Sequence, residues 1–154
     1  MSFSLQLEDG DLVLSGTSFG TVVGAAKLQQ DLICAILTPL GYEELHPTFG
    51  STLIENLLEP GAEEILGSTN FQHAATLISA ELQRICRNYQ AQQVARNQSD
   101  ATRFGKTTLT PNEILVAVKG IQFTQIEDTL QARLELEIGN EVITVSVPIP
   151  ETTE

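Results

Sequence analysis

The sequence predicts a mixed α/β (α+β) fold: helices, one of them long, packed on a C-terminal antiparallel β meander, with a small N-terminal β-hairpin. Three observations predict it. Apolar residues recur at three- and four-residue steps through Ala25 to Ile36 and again through Phe71 to Tyr89. From Ile114 to Ile149 they alternate with period two. Asp9-Gly10 and Gly139-Asn140 are two-residue turn pairs set between alternating runs.

Size and composition narrow the class. The 154 residues are read as one domain, with an N-terminal hairpin and loop over 1–23, a helical part over 24–98 and a β meander over 112–150. A chain of this length buries roughly 70% of its unfolded surface, enough for a core without metals or disulfides. The hydrophobic fraction of 42% and charged fraction of 18% fit a folded globular chain. Trp is absent, so the core must be built mainly from Leu, Ile, Val and Ala.

Eight Lys+Arg against 20 Asp+Glu give a net charge of −12. Phosphate backbones and anionic membranes repel such a chain, so neither nucleic acid nor membrane is an expected partner. The acidity suits a locally basic protein partner, and it equally serves solubility alone. Cys34 and Cys86 fall on predicted helices without Cys or His at metal-ligand spacing, which suggests two small buried thiols rather than a zinc site. The stretch MSFSLQLEDGD lacks a basic n-region, so no secretory signal is expected. No apolar run approaches the ~20 residues a membrane helix needs.

In chain order, Phe3, Leu5 and Leu7 alternate with polar residues, Asp9-Gly10 turns the chain, and Leu12 and Leu14 resume the alternation. Ser15 to Gly24 is Gly-rich and is read as a loop, but it has neither GxGxxG nor Walker spacing for a phosphate. Ala25, Leu28, Leu32, Ala35 and Ile36 predict a helix over 25–38, ended by Pro39 and Gly41. Next comes a rigid connector. Pro47 fixes its own φ and extends His46, and Gly50 permits a close or left-handed backbone. Ser51 can then cap a short helix over 51–58 with Leu53, Ile54, Leu57 and Leu58 on one face, broken by Pro60-Gly61.

Phe71, Ala75, Ile78, Leu82, Ile85 and Tyr89 form the longest stripe and predict a helix over about 69–96, roughly 40 Å long. That length has two readings: one helix against its own sheet, or a helix partly packed on another chain. Asn97 to Glu113 is polar with Gly and Pro and is read as a loop. Ile114, Val116 and Val118 then alternate, Lys119-Gly120 marks a bulge, and Ile121 and Phe123 continue on the new phase. Leu130, Ala132, Leu134, Leu136 and Ile138 form a second strand, and Ile143, Val145, Val147 and Ile149 a third, with Pro148 and Pro150 discouraging further pairing.

With its elements in this order, the chain resembles the baseplate protein W-like family of contractile tails, which includes the T-even baseplate wedge component and sheath initiators of related injection systems. The residues carrying the resemblance are LQQDLICAILTPLG, Leu28 to Gly41, and HPTFGS, His46 to Ser51, with DGDLVLSG, Asp9 to Gly16, similar to the lead-in of some members. It spans most of the chain. One departure is clear: many members carry Glu-Pro-Arg at the end of the long helix, whereas here Asn88-Tyr89 is followed by Gln90-Ala91-Gln92. The charged contact made there is therefore not carried over.

The resemblance implies a structural subunit in a virion tail baseplate, assembled in the host cytoplasm and present in six copies. Its partners would be other wedge proteins and the tail sheath protein, with tube and hub proteins as further candidates. Helices would anchor it to the wedge, with Arg84, Arg87 and Tyr89 as the contact. The final sheet would template sheath assembly by strand addition at Val142, Thr144, Val145 and Val147. Gly41, His46, Pro47, Phe49 and Gly50 would form the structural connector. Deleting 142–154 is then expected to leave a soluble subunit that cannot seed sheath.

No catalytic residue, cofactor or metal is expected. The alternative is a peptidoglycan-cleaving, lysozyme-like baseplate enzyme, which would need two carboxylates across a sugar cleft. Candidates are Glu43, Glu44, Glu55 and Glu59; Glu55 and Glu59 share a helix face, but Glu63-Glu64 suggest a solvated acidic surface and sugar-stacking aromatics are scarce. His46 could pair with Glu43 or Glu44 as a base, yet no nucleophile motif is near, so a local hydrogen bond in the connector is the simpler role. His73 is expected to be exposed or at an interface. Arg84, Arg87, Arg96 and Arg103 gather positive charge towards the end of the long helix, either as solvated surface or to meet acidic groups on a wedge partner.

Overall fold

The computed structural model describes residues 3–9, 11–53, 71–126, 129–139 and 141–149. Six two-residue strands open the chain: β1 (Ser4–Leu5), β2 (Leu7–Glu8), β3 (Asp11–Leu12), β4 (Leu14–Ser15), β5 (Ser18–Phe19) and β6 (Thr21–Val22). The predicted hairpin is present as β2 against β3, with Glu8 opposite Asp11. The segment read as a loop from Ser15 is not one. It turns at Gly16-Thr17 to form a second hairpin, β4 against β5, and β6 returns to pair with β1. Two-residue strands carry too little alternation to register as a pattern.

These strands form one small unit with threefold character. Gln6, Val13 and Gly20, seven residues apart, close a ring of main-chain bonds: Gln6 N–H to Gly20 O (2.8 Å), Gly20 N–H to Val13 O (2.8 Å) and Val13 N–H to Gln6 O (3.0 Å). The centre is tight. A Cβ on Gly20 would lie 2.8 Å from Gln6 Oε1, so glycine suits that place.

Helix α1 (Gly24–Leu37) follows the predicted stripe, burying Leu28, Leu32, Ala35 and Ile36 together with Lys27. Thr38 caps its end through N–H and Oγ1, both donating to Cys34 O. The second predicted helix lies almost wholly outside the described residues. Its start is seen: Leu53 N–H donates to Ser51 Oγ at 3.3 Å, as a cap requires. Ile54, Leu57 and Leu58 are not described.

The long helix α2 (Phe71–Phe104) has 34 residues, about 51 Å of rise. Its stripe is seated as expected, with Ile78, Leu82 and Ile85 buried and Tyr89 packed on the core. It does not stop near residue 96. It runs on as an exposed polar helix until Gly105, which takes a left-handed φ of 68° and donates its N–H to Ala101 O. The loop expected over 97–113 is thus helix to Phe104, because a helix end is set by its cap and not by the end of its apolar stripe.

A 3-10 turn, Pro111–Glu113, leads into β7 (Leu115–Ile126), β8 (Thr129–Ile138) and β9 (Glu141–Ile149), an antiparallel sheet in the order β7-β8-β9. Ala132, Leu134, Leu136 and Ile138 are all buried, as the alternation predicts. The start of β7 differs from expectation. Leu115 is buried and Val116 is 49% exposed, because an irregularity between Leu115 and Ala117 precedes the predicted one between Val118 and Gly120. One core joins α1, Leu53, α2 and all three long strands.

Candidate functional site

Nothing on the outer side of β9 pairs with it among the described residues, since β8 is the central strand. The hairpin fixes which groups point outward. Ile138 opposes Glu141 across a two-residue turn, so that pair exchanges hydrogen bonds, and every second pair after it does too. Glu141, Ile143, Val145 and Val147 therefore turn their main chain to β8. Val142, Thr144 and Ser146 turn theirs to the open edge. Pro148 takes the next outward position, where its missing N–H costs no ladder bond.

The four residues expected to bind a partner strand divide accordingly. Val142 is 61% exposed and Thr144 is exposed, with outward main chain. Val145 and Val147 are correctly placed in the strand but bury their side chains in the chain's own core, at 1% and 0% exposure. Their contribution is to hold the edge. Ser146, exposed and outward, belongs with Val142 and Thr144 and was missed. Counting parity from the Gly139-Asn140 turn would have found it.

At the other edge, side chains of α2 take up main-chain groups of β7. Gln90 Nε2 donates to Val116 O (2.7 Å) and Leu115 O (3.2 Å), and Leu115 N–H donates to Gln93 Oε1 (3.0 Å). Gln93 Nε2 also donates to Glu113 O, and buried Glu113 accepts from Thr110 N–H and Oγ1 through Oε2. These contacts cover the start of β7; beyond Val116 its outer side, like that of β9, has no strand paired to it among the described residues.

The connector is a loop closed at its base. Ser51 N–H donates to Thr38 O (2.8 Å), Leu40 N–H to Ser51 O (2.9 Å), and Ser51 Oγ to Ile36 O (2.6 Å). Gly50 sits at φ 102, where a Cβ would lie 2.6 Å from Pro39 O and 2.7 Å from Thr38 O. Gly41 also has a positive φ of 78. Exposed His46 acts here through its main chain, donating to Glu43 O and accepting from Phe49 N–H, with exposed Pro47 between them. Phe49 packs on the core.

The three residues expected to meet a wedge helix are not alike. Arg87 is exposed. Arg84 is engaged within the chain, bonded through Nε and NH2 to Glu81 (2.8 and 2.7 Å) and through NH2 to Gly50 O (2.8 Å). Tyr89 donates its OH to Asp31 Oδ2 at 3.1 Å, and burial, with Asp31 beside it, pushes its phenol far above the usual range. Asp31 also accepts from Lys27 Nζ (2.5 Å) and Ser4 Oγ (3.1 Å), so it ties β1, α1 and α2 together. Of the candidate carboxylates, Glu43 and Glu44 are exposed, and Glu55 and Glu59 lie outside the described residues. The side chain of His73 is likewise not described. Arg96 lies 3.8 Å from Asp100, and Arg103 is exposed.

No protein-family model matches the sequence, and a search of curated proteins finds no match.

Proposed function

We propose that the chain is a structural subunit, not an enzyme, of a contractile tail baseplate. It joins wedge to sheath and templates sheath assembly by accepting a strand along β9. The single observation that supports this most is the open, β-branched edge of β9, with Val142, Thr144 and Ser146 offering main-chain donors and acceptors. An open strand edge invites uncontrolled pairing unless a partner covers it. Strand addition draws its affinity from just such groups. The resemblance through Leu28–Gly41 and His46–Ser51 supplies the identity of the partners: wedge proteins, sheath, and tube or hub proteins, in six copies around a virion tail.

The geometry changes the test. Deleting 142–154 would strip Val145 and Val147 from the core, so the expected product is a destabilised chain and not the soluble subunit anticipated from sequence. Thr144→Pro is the sharper probe. It removes one outward donor and places a ring in the path of an added strand, while no bond to β8 is lost. The variant should fold and join the wedge but fail to seed sheath. Normal sheath on that variant would refute strand addition at β9. A cryo-electron reconstruction of the baseplate–sheath junction should place sheath arms along 142–147. The cell-wall-cleaving alternative is tested by turbidity assays with Glu55→Gln and Glu59→Gln.

A further inference from the structure

The N-terminal β unit has inverted polarity. Directly opposed residues share a face, and so do residues two apart along an extended chain, here stepping from one short strand to the next over Gln6, Val13 or Gly20. Leu5 and Leu7 share one; Leu7 opposes Leu12; Leu12 and Leu14 share one; Leu14 opposes Phe19; Phe19 and Thr21 share one; Thr21 opposes Leu5. The six positions close on themselves, so all lie on a single face. Five carry large apolar side chains, and all six are exposed, from 37% at Leu7 to 67% at Leu14 among the apolar ones. The other face, with Gln6, Val13 and Gly20 at its centre, is the more covered one.

This face is held in place. Gln30 of α1 mimics a strand partner, with Oε1 accepting from Leu7 N–H (2.9 Å) and Nε2 donating to Leu5 O (2.7 Å). Ser4 is tied to Asp31. Between the unit and α1 lies a groove of about 700 Å³ whose apolar lining includes Leu7, Ala26, Ile33 and Leu37, with polar residues of α1 between them and Asp9 as its charged group. The apolar face therefore continues onto the outer side of α1. A pre-ordered apolar surface of this kind marks an interaction site.

Charge decides the occupant. The first 26 residues contain Glu8, Asp9 and Asp11 and no Lys or Arg. Asp9 stands on the groove itself, and Glu8 and Asp11 flank it on the same hairpin, so this end of the groove is acidic. A second copy would bring the same acidic ends together on chains of net charge −12. We propose that this face and groove dock an apolar segment flanked by lysine or arginine on another protein. Apolar contact supplies the burial, and the basic flanks meet the acidic end. The inference stands apart from the baseplate reading, because it uses neither β9 nor the connector.

The test is fluorescence anisotropy on the full chain with labelled helical peptides bearing one leucine stripe and either lysine or glutamate flanks. The lysine-flanked peptide should bind at least about tenfold more tightly than the glutamate-flanked one. Leu14→Asp should weaken it about tenfold or more, although it adds negative charge. Leu14→Gln should also weaken it, and circular dichroism of both variants should match the parent. Equal binding of the two peptides would overturn the proposal. So would no binding of the cationic peptide up to ~1 mM, or unchanged affinity in Leu14→Asp, which would leave only diffuse charge attraction. A parent dimer in sedimentation that Leu14→Asp dissociates would also overturn it, making a second copy the occupant.

Discussion

Arg84 NH2 donates to the carbonyl of Gly50 at 2.8 Å, joining the middle of the long helix to the tightest point of the connector. Glu81 completes the clamp: it binds the guanidinium through both oxygens and accepts from Thr52 N–H at 2.8 Å. Arg84, expected from the resemblance to meet a wedge helix, thus bridges two of the chain's own segments.

Glu81→Gln should cost about 1–2 kcal/mol in a denaturant titration, the lower part of the range for charged hydrogen bonds because Arg84 is partly exposed. The bond to Arg84 holds the Glu81 carboxyl below its usual value of 4.5. A carboxyl depressed on folding adds stability that is complete above that usual value and fades as the pH falls through the depressed one. The parent should therefore lose stability relative to Glu81→Gln on acidification. Parallel stability–pH curves would contradict the clamp.

Gly50→Ala should destabilise by about 3 kcal/mol or more, since positive φ and two carbonyl clashes act together. Gly16→Ala provides the contrast. Its φ is 66, but nothing lies within 4 Å of the added Cβ, so the expected cost is only about 1 kcal/mol. Thermal melts of the two variants should separate clearly.

Asp31→Ala should cost about 2–4 kcal/mol, because it removes the acceptor from Lys27 Nζ, whose side chain is only 8% exposed. Tyr89→Phe removes the hydrogen bond to Asp31 and should cost about 1–2 kcal/mol. Asp31→Ala also releases Ser4, so limited proteolysis should cut within 3–23 sooner in that variant than in Tyr89→Phe.

Burial pushes the Cys86 thiol up to about 11. Burial, with Asp31 nearby, raises Cys34 as well, though it is only half-buried and lines the groove. At about pH 8 a thiol reagent should label Cys34 first and reach Cys86 only on unfolding. Early labelling of Cys86 would mean that α2 does not hold it in the core.

The sequence by itself determined the parts whose signal is periodic. The stripes Leu28–Ile36 and Ile78–Tyr89 and the alternation Ala132–Ile138 each specify an element and its buried face, since burial rewards one spacing per structure. Only the tertiary structure decided what has no period of its own. The last turns of α2 carry no apolar stripe and end where Gly105 caps them. The strands of the N-terminal unit are two residues long and exist through one another's main-chain bonds. Whether Arg84 faces a partner or Gly50, and which residues of β9 face outward, depend on what folding brings beside them. Those contacts join residues far apart in the chain, so no local pattern encodes them.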